Sequence, residues 1–125
     1  MTRLVTPVLM AMLAVAPLIG CASHPPPTER LTTTEAAVRG AQEVGATQVP
    51  RAALHLKLAQ EQTEKAKRLM QDGYHKRAEL TLKRAQADAE LAIAISNEAK
   101  LTNEAQAAQA KVQQMKAAAM KALNR

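Results

Sequence analysis

Between residues 50 and 71 the small and apolar positions keep a fixed beat. Ala52, Leu56, Ala59, Thr63, Ala66 and Met70 follow one another at spacings of four, three, four, three and four. That period places them on one narrow stripe of an α-helix, a seam for a single partner helix, widened at its start by Leu54 and Leu58. Pro50 suits a first helical position, where its missing N–H is not needed. A second seam, Ala78, Leu82, Ala85, Ala89 and Ala92, repeats the rhythm in a segment without proline or glycine from Tyr74 to beyond Met120. Between the two stands Asp72-Gly73, where glycine can take the left-handed conformation that ends a helix. So short a link forces the two helices into an antiparallel hairpin.

The pattern therefore predicts an all-α fold: an antiparallel helical hairpin of about 50–71 and 74–121, preceded by a short helix at about 32–46. Thr32 and Glu35 are spaced as a capping box to start that first helix, which carries Ala36, Ala37, Ala41 and Val44 and fades near Gly45. Glu61 with Lys65 and Glu64 with Arg68 sit four apart in the favourable order for intrahelical pairing. Lengths differ sharply. At 1.5 Å per residue the third helix runs about 72 Å and the second about 33 Å. The uncovered remainder has its own stripe, Leu91, Ile95, Thr102, Ala105, Ala108, Val112, Met115 and Ala119. Either helix one continues in line with helix two and covers part of it, or another chain does. Because the stripe is mostly alanine, several turns must act together or the C-terminal end frays.

The first twenty residues belong to a different pattern. Arg3 is followed by an apolar run from Leu4 to Ile19, broken only by Thr6, Pro7 and Pro17. These are the parts of an export signal, and the run is too short and interrupted for a transmembrane helix, which needs roughly 20 apolar residues. Leu18-Ile19-Gly20-Cys21 resembles a lipobox: a small residue before the cut and a thiol to take a diacylglycerol. Cys21 is the chain's one cysteine, which cannot pair within its own molecule, so lipid consumes it. The expected organisation is a signal peptide at 1–20, a proline-rich tether at 21–30 and a helical hairpin domain with an extended C-terminal helix at 31–125. Pro25-Pro26-Pro27 favours a semi-rigid extended tether that lifts the folded part off the membrane. By resemblance to lipoprotein sorting in Gram-negative bacteria, Ala22 and Ser23 carry no inner-membrane retention signal, which implies the outer membrane, facing the periplasm. No cofactor is expected beyond the diacylglycerol and N-acyl chain on Cys21.

The formal charge is +6, and there is no Trp, no Phe and one Tyr. Alanine, leucine and a few methionines must do the packing, which suits thin helical layers and not a closed enzyme pocket. His24, His55 and His75 share no ligand spacing, so no metal site is expected. Asp88 and Glu90 are two apart on a helix, point to different sides and make a poor acid–base pair. With no phosphate loop and no nucleophile elbow, an enzyme acting on a small molecule is not expected, and nucleic acid is an implausible partner without aromatics to stack bases. The suggestive feature is basic: Lys65, Lys67, Arg68, His75, Lys76, Arg77, Lys83 and Arg84 gather around the hairpin tip. They are candidates for contact with an anionic surface such as peptidoglycan carboxylates, lipopolysaccharide phosphates or an acidic protein. The alternative is a solvated cap that keeps a tethered hairpin soluble.

The stretch from Val49-Pro50 through Gly73-Tyr74 to Ala85-Gln86-Ala87-Asp88-Ala89-Glu90-Leu91-Ala92 resembles the lipoprotein family called domain of unknown function 4398. In such proteins a proline-started helix, a Gly-Tyr turn and an "AxADAELA"-like helix follow a lipid anchor. The resemblance covers roughly residues 30–100 and implies an OmpA-like protein or peptidoglycan as neighbour, but no established activity. Two further likenesses compete. Gly73-Tyr74 with Ala78, Leu82 and Ala85 is similar to the second helix of a tetratricopeptide repeat, which needs about three copies to stack. Cys21-Ala22-Ser23-His24 and Arg30-Leu31-Thr32 look like the small murein-type lipoproteins, which form helical trimers; Arg125 stands where those carry a linking lysine. The expectation is thus a structural or adaptor lipoprotein presenting a periplasmic hairpin, the alternative an oligomer that spaces the outer membrane from peptidoglycan.

Overall fold

The computed structural model describes residues 24–124. The expected signal at 1–20, its motif Leu18-Ile19-Gly20 and the lipid acceptor Cys21 lie outside the described residues. Three helices account for nearly all of the rest: α1 (Thr28–Glu43), α2 (Pro50–Gln71) and α3 (His75–Leu123), with a short 3₁₀ turn at Ala46–Gln48 between α1 and α2. The all-α hairpin is as expected.

Helix α2 begins on Pro50 and ends in a Schellman motif. The Tyr74 N–H donates to the Leu69 carbonyl at 2.8 Å and the Gly73 N–H to the Met70 carbonyl at 3.1 Å. Gly73 holds φ +78°, and no atom crowds the place where a Cβ would sit. The cost of a side chain there is thus conformational and not steric. Gly73→Ala is expected to lower stability by about 1 kcal/mol with the hairpin retained, and Gly73→Asn by less. Urea denaturation followed by helicity checks both, and equal stability of all three proteins would contradict it.

The seams meet. Ala52, Leu56, Ala59, Thr63 and Ala66 of α2 and Ala78, Leu82, Ala85, Ala89 and Ala92 of α3 are all buried, and α3 adds Ile95 and Ser96. Met70 closes the stripe only half-buried. Leu54 does not widen it. It is 58% exposed, because it falls on the side of α2 turned away from both neighbours.

Helix α1 departs from expectation in two ways. It starts at Thr28, directly after Pro27, so the extended tether stops short of Arg30. No side chain caps it, and Thr32 is already inside. The Thr32, Thr33 and Thr34 hydroxyls instead donate to carbonyls four residues back, at 3.1, 3.0 and 2.8 Å, and Glu35 pairs with Lys67 at 3.0 Å. The capping-box spacing is real but both members are otherwise engaged. Second, α1 does not continue in line with α2. It lies beside the hairpin, parallel to α3: the Thr34 hydroxyl reaches the Leu82 carbonyl at 3.4 Å, the Arg30 guanidinium reaches Gln86 at 3.5 Å, and Gly40 faces Ile93. Ala41 and Ala46 join Ala52, Leu56, Ala92 and Ile95 in one buried cluster, with Val38, Val49 and Ile93 packed around it. The 3₁₀ turn reverses the chain there, with Gly45 at φ +83°.

The product is a three-helix bundle in which α1 and α2 cover the same part of α3. Every residue from 101 to 124 is exposed. As helix, residues 101–123 project about 35 Å beyond the bundle. This arm needs no new nucleus, because it continues an existing helix in residues of high helical propensity. Ile95, expected on the uncovered stripe, is part of the core, whereas Leu91 is exposed.

Candidate functional site

Two surfaces stand out, at opposite ends of the molecule. The first surrounds the α2–α3 turn. Because α1 runs antiparallel to α2, the N-terminus of the bundle comes to this same end: His24 Nε2 lies 2.9 Å from the Glu79 carboxylate, one turn into α3. The expected basic residues are therefore brought together beside the point where the chain enters the fold. They are not alike. Lys67 is held between Glu64 at 2.7 Å and Glu35 at 3.0 Å, and these hydrogen bonds raise its pKa. Lys83 pairs with Glu79 at 2.9 Å. Hydrogen bonds from Lys83 and then His24 bring the Glu79 carboxyl down to about 2 from an ordinary 4.5. What Glu79 adds to stability is thus present above pH 4.5 and is lost as pH falls through about 2. Among the described residues, Lys65, Arg68, Lys76, Arg77 and Arg84 take part in no salt bridge. The Arg77 guanidinium sits over the Tyr74 ring, 5.4 Å from its centre. His75 buries its Nδ1 without a hydrogen-bond partner.

The expected pairs Glu61–Lys65 and Glu64–Arg68 do not form. Glu61 turns to Lys57 at 3.8 Å, and Glu64 is taken by Lys67, which lies between it and Glu35. The tertiary partner on α1 decides the choice, and spacing within α2 could not show it.

The second surface is the arm. Leu101, Val112, Met115, Met120 and Leu123 are its large apolar residues, each 43% exposed or more. At its root, where α3 leaves the bundle, an open groove is lined by Val49, Pro50, Ile95, Ala99 and Thr102.

Between these ends Asp88 ties the hairpin together. His55 Nδ1 lies 2.9 Å from Oδ1, and the Gln62 amide donates to Oδ2 at 2.8 Å. Glu90 points elsewhere and accepts from Gln86 at 2.8 Å. Asp88 is thus an interhelical clamp joining α2 to α3 at mid-length. The signal for it was in the sequence: a carboxylate in an alanine seam, one position from buried Ala89, opposite a polar pair on α2. Among the described residues no cluster of His, Cys, Asp and Glu could hold a metal ion, and no helix is long and apolar enough to cross a membrane.

A family model described as Domain of unknown function (DUF4398) matches residues 29–108, the whole bundle and the root of the arm. No curated protein and no solved structure matches the chain.

Proposed function

The chain belongs to the DUF4398 family, and within it we propose a structural or adaptor role in the cell envelope, as an outer-membrane lipoprotein acylated at Cys21 and facing the periplasm. The three-helix bundle is the base of this adaptor and the α3 arm is its contact element, offered to an OmpA-like protein or to the peptidoglycan layer. The observation that carries the reading is the arm itself. A helix of about 35 Å, exposed on every side and opposite the chain's entry point, is of little use to the bundle's own stability. The apolar residues along the arm and the groove at its root each offer a partner helix a surface to pack on.

A second reading has support in the same residues. Leu101, Ala105, Ala108, Val112 and Met115 are spaced four, three, four and three, the rhythm of a coiled coil, so arms of several copies could pack into a murein-lipoprotein-like oligomer.

One experiment separates the two. A photo-crosslinking residue at Val112 of the full-length protein, activated in intact cells, is expected to give a product containing a second envelope component, while one at Leu54 on the bundle gives none. Products that contain only this chain, at two or three times its mass, would replace the adaptor by the oligomer. Absence of any arm product would count against both.

A further inference from the structure

The end of the bundle that receives the chain is also the end that carries unneutralised positive charge. Lys65 and Arg68 in the last turns of α2, and Lys76 and Arg77 in the first turn of α3, lie within about 12 Å of the Gly73 turn along the helix axes. All four are exposed, and among the described residues none has a salt-bridge partner. The carboxylates Glu35, Glu64 and Glu79 at this end are occupied by Lys67 and Lys83, which leaves Asp72 and Glu29. From mid-length to the root of the arm the balance differs: Glu43, Glu61, Asp88, Glu90 and Glu98 stand among Arg39, Arg51, Lys57 and Lys100. Lys76 and Arg77 also stand at a helix start, where the macrodipole opposes positive charge. Tyr74, half-exposed beneath Arg77, adds an amphipathic ring at the outermost point of the turn.

We propose that this end of the bundle is a membrane-contacting face, on which Lys65, Arg68, Lys76 and Arg77 bind the phosphates of anionic lipid headgroups in the leaflet that holds the acyl chains. The proposal rests on acylation of Cys21. Cys21 precedes His24 by three residues, which reach at most about 11 Å of chain. An acylated cysteine therefore holds the four cations near the headgroups at a high effective concentration. Over that distance, about one Debye length, an anionic surface still attracts them. Tyrosine at headgroup depth is favoured for its polar tip and apolar body. The contact has a mechanical consequence: with the turn end seated on the membrane, α3 stands away from it and the arm is carried to its greatest reach. The hairpin tip is then the foot of the molecule and not its head.

The chain has no tryptophan, so Tyr74→Trp gives a single fluorescent reporter in the acylated full-length mature protein. The protein is reconstituted into vesicles of phosphatidylcholine, with or without about one third phosphatidylglycerol, each carrying headgroup-labelled quencher lipid. Quenching is expected to be about threefold stronger in the anionic vesicles and to fall to the neutral level in high salt. It should fall equally when Lys76→Glu and Arg77→Glu are combined, and largely when Lys65→Gln and Arg68→Gln are combined, with helicity unchanged in both. Quenching that ignores lipid charge, salt and both variants would overturn the proposal and make this end a solvated cap. Charge-reversal that abolishes sedimentation with peptidoglycan but leaves quenching intact would overturn it in favour of the wall polymer. Intact mass of the protein extracted from membranes keeps the underlying reading separate: a Cys21 without acyl groups removes the anchor itself, whereas an acylated protein with charge-blind quenching removes only the headgroup contact.

Discussion

Leu82→Ala is expected to cost the bundle about 3 kcal/mol, a large part of what holds it folded. Leu82 is fully buried and, among the described residues, is the largest side chain to be so. It stands on α3 where α2 and α1 both cover that helix, and the Thr34 hydroxyl of α1 lies 3.4 Å from its carbonyl. Most of the surrounding core is alanine, which has no flexible side chains to move into the space left behind. The cavity should therefore persist, which keeps the loss inside the range for buried Leu→Ala truncations and well above that of a surface change. Leu80→Ala, two residues away and half-exposed, serves as the control and should change stability by less than about 0.5 kcal/mol. Urea midpoints of the two variants that move together would show that the burial pattern of α3 is misassigned.

The reverse change should be nearly as harmful. Ala89→Leu inserts three carbon atoms into a seam position with no exposure, next to the Asp88 clamp. Alanine and leucine both favour helix, so propensity does not enter. The added volume forces α2 away from α3 or drives the leucine into a poor rotamer, at about 1–3 kcal/mol, and it strains the Asp88 contacts with His55 and Gln62. Ala87→Leu, at an exposed position, makes the same chemical change at almost no cost. Equal melting temperatures for the two leucine variants would mean that the alanine seam is not a close helix contact.

The contrast explains why α2 and α3 were legible in the sequence. Their seams are written in residue type: small residues at a four-three spacing, Pro50 at one boundary and Gly73 at the other, each with a local physical cause. Helix α1 was less legible because its cues are weaker. Its buried face is Thr34, Val38 and Ala41, a short four-three seam headed by a polar residue, and its start is set by Pro27 and not by a capping box. Its position beside the hairpin depends on the reversal through Gly45 and the 3₁₀ turn, and spacing within one helix carries no information on that. Parity does carry some. Three helices joined by two tight reversals bring the N-terminus to the α2–α3 turn, so the basic tip and the chain's entry point must share an end.

That shared end changes how the basic residues are read. Taken from sequence they are one cluster of like charges; in the fold Lys67 and Lys83 are structural, each bound to carboxylates, and Lys65, Arg68, Lys76, Arg77 and, further along α3, Arg84 remain without one among the described residues. The arm is likewise divided by the family match, which ends at residue 108. The match covers the bundle and the root of the arm, and Val112, Met115 and Met120 lie beyond it.

The proposed posture is an anchored bundle that stands on its turn end and carries the arm away from the membrane. Neutron reflectometry on the acylated full-length mature protein in a supported bilayer containing anionic lipid tests it most directly. An upright molecule gives a protein layer about 70 Å thick, the length of α3. A layer of about 25 Å, the thickness of two packed helices lying flat, would contradict the upright posture.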